Sequence, residues 1–179
     1  MKLLLLKSNR IFLNIVLILL NYAFFLSRKV YTLLKTNRKT IYMKMITVKK
    51  QFQFSANDFF DYLDKQLTLA IQQARKNDLP VKLASGTTYN QDGIDTKITK
   101  YNRGKEYEAN FKNDKFDIMI NYQTEDVPNG VEITFSEDIK SYDPTAHSKF
   151  NNWLYNVQLK HGAKKELSRM ANGVHQNMQ

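Results

Sequence analysis

Between Val81 and Ile139 the chain is cut into short runs by turn-forming residues at Asp92-Gly93, Asn102-Arg103-Gly104, Asn113-Asp114 and Asn129-Gly130. Within the runs apolar and polar residues alternate, the mark of a half-buried strand. Asn or Asp beside Gly supplies the positive φ that a tight hairpin needs. Such short connections leave no room for a crossover, so each strand must run antiparallel to its sequence neighbours. The pattern predicts strands at Ile94–Tyr101, Lys105–Lys112, Phe116–Tyr122 and Val131–Ser136, after a weaker one over Val81–Tyr89. Phe116, Ile118, Ile120 and Tyr122 fall on one face, as do Val131, Ile133 and Phe135, and Tyr107, Ala109 and Phe111. These rows are expected to form the core face.

The flanks of this meander are of another kind. Ile46, Val48, Phe52 and Phe54 alternate with polar residues and predict a first strand. Ser55 can then cap a helix, with Asp58 at its third position and Phe54 set to staple against Phe59. Phe59, Phe60, Leu63, Leu67, Ala70, Ile71 and Ala74 form its stripe, a break near Lys65 is allowed, and Asn77, Asp78 and Pro80 stop it. After Ser141, Asp143 as cap and Pro144 in the first turn predict a long last helix. Its stripe is Ala146, Phe150, Trp153, Leu154, Val157, Leu167, Met170 and Val174; Lys149, Lys160, Lys164, Lys165 and Arg169 are assigned to a basic outer face, and Gly162 to a bend.

This order predicts an α+β fold, a curved antiparallel sheet of about six strands gripped by a long C-terminal helix, with a helix after strand one. It is similar to the helix-grip arrangement of START-like (SRPBCC) domains, which implies a space for an apolar ligand between sheet and last helix. The stretches MITVKKQFQFSANDFFDYL (residues 45–63), KEYEANF (105–111) and NNWLYNVQLKHGAKKELSRM (151–170) carry a narrower resemblance, to the bacterial domain-of-unknown-function family 3284. That resemblance spans nearly all of residues 45–175. Its motifs are patterns of fold, and it implies an architecture without an activity.

The net charge of +10 would suggest a polyanion partner if it lay on the folded part. It does not. Lys2, Lys7, Arg10, Arg28, Lys29, Lys35, Arg38, Lys39 and Lys44 precede the first acidic residue, Asp58, and the remainder is close to neutral. No nucleic acid is expected as a partner. Residues 1–44 form a basic apolar extension with a 16-residue run, residues 11–26, interrupted by Asn14 and Asn21. Three readings fit: translation from a misplaced start upstream of Met43 and Met45, a signal anchor, or a membrane-surface helix. A membrane is therefore a partner only if residues 11–26 are translated and insert. The charge balance would then keep the domain on the cytoplasmic side, and a cytoplasmic location is the expectation either way. Residues 45–175 make up the domain, and 176–179 a frayed tail.

No catalytic apparatus is legible. The absence of cysteine removes disulfides, thiol chemistry and cysteine-ligated metals. His147, His161 and His175 are spaced by 14 residues on one helix, ~21 Å between neighbours, too far apart to share a metal. The acidic pairs Glu106/Glu108, Glu125/Asp126 and Glu137/Asp138 read as solvated edges and turns, since glycosidic chemistry needs two carboxyls converging at ~5–9.5 Å. No serine has a nucleophile-elbow context, and residues 84–88 lack the glycines and lysine of a phosphate loop. No cofactor or metal is expected. The tyrosines, with Trp153, are the feature with functional potential, because a phenol can line an apolar space and orient a ligand. The candidate ligand-binding set is Tyr107, Phe111, Ile118, Ile120, Tyr122, Ile133, Trp153 and Val157. The expected function is a non-catalytic module holding a small apolar or amphipathic molecule. The alternative is a regulatory or co-chaperone-like domain that meets a protein partner through the basic face of the last helix.

Overall fold

The computed structural model describes residues 44–140 and 148–179. The expectations for residues 1–43, Asp143, Pro144, Ala146 and His147 lie outside the described residues. Strand β1 (Lys44–Phe52) leads directly into helix α1 (Ala56–Arg75). The switch is local: Ser55 Oγ accepts from the Asp58 amide at 3.1 Å, and the Asp58 carboxylate accepts from the Ser55 amide at 2.8 Å, so two amides that the helix would leave open are satisfied. Phe54 stacks on Phe52 at 5.2 Å and meets His175 edge-on at 5.4 Å. The helix is continuous through Lys65, because no Gly or Pro interrupts the buried stripe Phe59, Phe60, Leu63, Leu67, Ala70 and Ile71. It ends at Lys76, whose φ of 54° is left-handed.

Five more strands follow, β2 (Thr88–Gln91), β3 (Ile94–Asn102), β4 (Glu106–Lys112), β5 (Asp117–Val127) and β6 (Gly130–Ile139). They form one antiparallel sheet in the order β1-β6-β5-β4-β3-β2. The Asp92-Gly93 turn has φ of 53° and 78°, as a two-residue hairpin requires. A register shift between Ile98 and Lys100 marks a bulge that helps bend the sheet. Strands β5 and β6 outrun their expected limits, because residues 123–127 keep their ladder with β6 and residues 137–139 pair with both β1 and β5. The expected strand over Val81–Tyr89 is reduced to β2; Val81 and Leu83 pack instead on Ala70, Ile71 and Tyr89.

Helix α2 (Lys149–Asn177) is capped by Ser148, whose side chain accepts from the Asn151 amide. It packs on β1, β6 and α1. Its buried positions are Leu159, Ala163, Leu167, Met170, Ala171 and Val174. Against expectation, Phe150, Trp153, Leu154 and Val157 are exposed. At about 100° per residue, Phe150, Leu154 and Val157 sit roughly 80–140° round the helix from Leu167, and Trp153, although in phase, lies ~21 Å before it. Apolar spacing alone did not reveal that only the later turns are covered. Gly173 lets α1 come close, since a Cβ there would overlap the Tyr62 ring. The expected frayed tail is helical to Asn177, whose Oδ1 accepts from Lys65 Nζ at 2.8 Å.

Candidate functional site

The inner face of the sheet can be read row by row from its register. One row runs Val48, Phe135, Tyr122, Tyr107 and Tyr101; the next runs Ile46, Glu137, Ile120, Ala109 and Ile98; a third runs Ile139, Ile118, Phe111, Thr96 and Tyr89. Phe59 and Phe60 of α1 cover the tyrosine row, with ring centroids 5.4 Å from Tyr122 and 6.3 Å from Tyr101. Leu159, Ala163, Leu167, Met170, Ala171 and Val174 are the buried residues of helix α2, which packs over β1 and β6.

Glu137, Tyr107 and Tyr89 each place a buried polar atom without a hydrogen-bond partner on this apolar surface. Glu137, flanked by Ile46 and Ile120, is only 3% exposed, and its Oε1 has no hydrogen-bond partner. Tyr107 is 1% exposed, and its hydroxyl is likewise unpartnered. Burial, reinforced by the nearby Glu166 carboxylate, pushes the Glu137 carboxyl up to about 7. Burial also holds the Tyr107 and Tyr122 phenols well above their ordinary value, so both act as neutral hydroxyls.

Beside Glu137, helix α2 contributes an ion pair. Arg169 donates from Nε and Nη2 to the two oxygens of Glu166 at 2.8 and 2.7 Å, and Tyr122 donates its hydroxyl to Glu166 at 2.9 Å. Glu166 is thereby bound by both a cation and a phenol. The assignment of Arg169 to the basic outer face is corrected: its side chain is half-buried and turned to Glu166, because a bidentate guanidinium–carboxylate pair is favoured where water is largely excluded.

Of the expected ligand-binding residues, Tyr107, Phe111, Ile118, Ile120, Tyr122 and Ile133 do lie on the inner face, with Tyr107 opposite Tyr122 and Phe111 opposite Ile118. Trp153 and Val157 do not join them, being 59% and 47% exposed. Glu137, Glu166 and Arg169 were missed. Glu137 did carry a signal, since it continues the period-two row Val131, Ile133, Phe135; pairing it with Asp138 as a solvated acid obscured that. Glu106 and Glu108, by contrast, face outward and bind Lys100 at 3.1 and 3.3 Å. Among the described residues no group of His, Asp or Glu could hold a metal ion, and no helix is long and apolar enough to cross a membrane.

Among solved structures, the chain is similar to the protein of unknown function SA2116 from Staphylococcus aureus, with a TM-score of 0.57 at 9% identity over 79% of this chain and 99% of that one. It is also similar to DynU16, from the dynemicin biosynthetic locus, with a TM-score of 0.51 at 11% identity over 73% of this chain and 47% of that one. At these identities the likeness is one of fold alone. No curated protein matches the sequence. The family model described as Domain of unknown function (DUF3284) matches residues 45–160.

Proposed function

Because the chain belongs to the family Domain of unknown function (DUF3284) and has a START-like helix-grip fold, we propose that it is a non-catalytic module that binds a small amphipathic molecule between the inner face of the sheet and helix α2. One observation carries this reading: a carboxyl and a phenol, Glu137 and Tyr107, are buried on an apolar face with hydrogen-bonding capacity unused. An unsatisfied buried polar atom costs ~1–3 kcal/mol, and a bound molecule with a polar end would recover that cost. The expected site residues are refined accordingly. Tyr107, Phe111, Ile118, Ile120, Tyr122 and Ile133 remain, Glu137 and Glu166 are added, and Trp153 and Val157, which are exposed, are left out of the proposed lining.

Native mass spectrometry of the full chain purified from its own host tests the proposal. A mass increment released on denaturation is expected. A ligand-free protein whose crystals show side chains filling the space, with fixed water on Glu137 and Tyr107, would remove it.

A second reading, recognition of an acidic amphipathic segment of a partner protein, is favoured by the exposed Phe150, Trp153, Leu154 and Val157, followed along the same helix by the exposed Lys160, Lys164 and Lys165. The apolar residues would anchor such a segment and the lysines would pair with its acids. Affinity capture from host lysate with the wild-type chain, set against Lys160→Glu/Lys164→Glu/Lys165→Glu and Trp153→Ala, checks this. Equal recovery of the same partners by all three proteins would count against it.

A further inference from the structure

The strip of helix α2 left in solvent has a direction, and that direction restricts what can dock on it. Phe150, Trp153, Leu154 and Val157 stand at i, i+3, i+4 and i+7 and are all exposed, with the Phe150 and Trp153 rings 5.9 Å apart. At about 100° per residue, the exposed Lys160, Lys164 and Lys165 fall within the same arc of roughly 140°, while the buried Leu159, Ala163 and Met170 point away from it. The strip is thus divided lengthwise, apolar over its first two turns and cationic over the next two. The two centres lie ~14 Å apart, about nine residues at 1.5 Å per residue. No acid occurs between Phe150 and Lys165, and among the described residues none of the three lysines enters an ion pair.

A second copy of this strip offers the lysines no counter-charge. A bilayer matches it poorly, because a helix lying on one keeps its lysines beside or opposite the apolar arc, whereas Lys164 shares that arc and would be pressed toward hydrocarbon. An acidic amphipathic helix meets both halves, since a like row of apolar residues interdigitates with Phe150, Trp153, Leu154 and Val157. Such a helix can lie in two directions. Parallel to α2, its acids fall in its last turns, at the negative end of its own dipole; antiparallel, they fall in its first turns, where the dipole and the open amides favour them. Resting on the partner-segment reading above, we propose that the strip takes a helix whose acids occupy its first turns and whose apolar anchors follow about nine residues later, docked antiparallel to α2.

Two end-blocked, alanine-rich peptides of identical composition and free of tryptophan test this, one with glutamates in its first two turns and leucines at spacings of three and four in its last two, the other with that order reversed. Trp153 is the only tryptophan of the chain, so its emission reports docking on this strip. Added to the full chain, the acid-first peptide should shift that emission to the blue and bind about fivefold or more tightly than its reverse, the scale of a few charges at a helix end. Lys160→Glu/Lys164→Glu/Lys165→Glu, confined to exposed side chains, should weaken the acid-first peptide by about tenfold or more. Circular dichroism establishes that the variant is folded. If the reversed peptide binds as tightly as the acid-first one, or the triple variant binds as tightly as the wild type, the antiparallel inference is overturned and the partner-segment reading stands. If neither peptide moves the emission, both fall, and a shift produced by phosphatidylcholine–phosphatidylglycerol vesicles in its place would make the strip a membrane surface.

Discussion

Glu137 provides a stringent test of how the inner face is built, because its burial has a measurable effect on stability. In the unfolded chain its carboxyl ionises near the ordinary value of 4.5, and in the folded protein near about 7. Between these values the native state keeps a proton that the unfolded state has released. Stability therefore falls as the pH rises through this window. Below 4.5 the carboxyl is protonated in both states and the full contribution is present; above about 7 it is ionised in both and the contribution is gone. The separation corresponds to ~3 kcal/mol at ~1.4 kcal/mol per tenfold change in proton activity.

Burial opposes ionisation of Glu137, and so does the Glu166 carboxylate of α2, which is itself held by Arg169 and the Tyr122 hydroxyl. Glu137→Gln removes the titration and keeps the shape. Urea unfolding followed by circular dichroism at pH 5, 6, 7 and 8 should show the wild-type chain losing about 2–3 kcal/mol more than the variant across that range, or roughly 5–12 °C in Tm. Subtracting the variant cancels the contributions of every group other than residue 137. Parallel curves for the two proteins would refute the reasoning, because the carboxyl would then be hydrated or paired in the native state.

Tyr122→Phe deletes the phenol that donates to Glu166 and should lower stability by ~2 kcal/mol in the same unfolding assay, as expected for a hydrogen bond to a charged group. Trp153→Ala should change stability by less than ~1 kcal/mol, against ~3–5 kcal/mol for a tryptophan in a core. Gly130→Ala forces a side chain onto a residue with φ of 137° and into the Phe52 carbonyl oxygen. A loss of ~2 kcal/mol or more is expected, together with faster amide exchange at the end of β1 beside the β5–β6 turn. Ser55→Ala breaks the capping box of α1 and should cost ~1 kcal/mol, read as a lowered Tm.

Much of the architecture follows from chemistry that acts within a few residues. Asp92-Gly93 can reverse the chain because Gly and Asp tolerate positive φ, Ser55 and Asp58 can satisfy each other's amides, and period-two alternation sorts the strand residues into two faces. These effects need no knowledge of the rest of the molecule, and so the meander, the helix after strand one and the inner-face rows containing Tyr107, Phe111, Ile118 and Tyr122 were legible in the sequence. What covers those rows was not legible. Helix α2 presents apolar residues from Phe150 to Val174, but where it crosses β1, β6 and α1 depends on residues distant in sequence, including the fit of Tyr62 against Gly173. That crossing leaves Trp153 and Val157 in solvent and seals Leu159 to Val174. The same packing turned Arg169 from a surface cation into the partner of Glu166 and enclosed Glu137, an acid that the alternation had placed on the inner face but that its charge had suggested was solvated. Local stereochemistry, acting through hydrogen bonds and φ preferences over short spans, determined the elements and their faces; tertiary packing alone decided which faces meet, and with them the burial that gives Glu137 its chemistry.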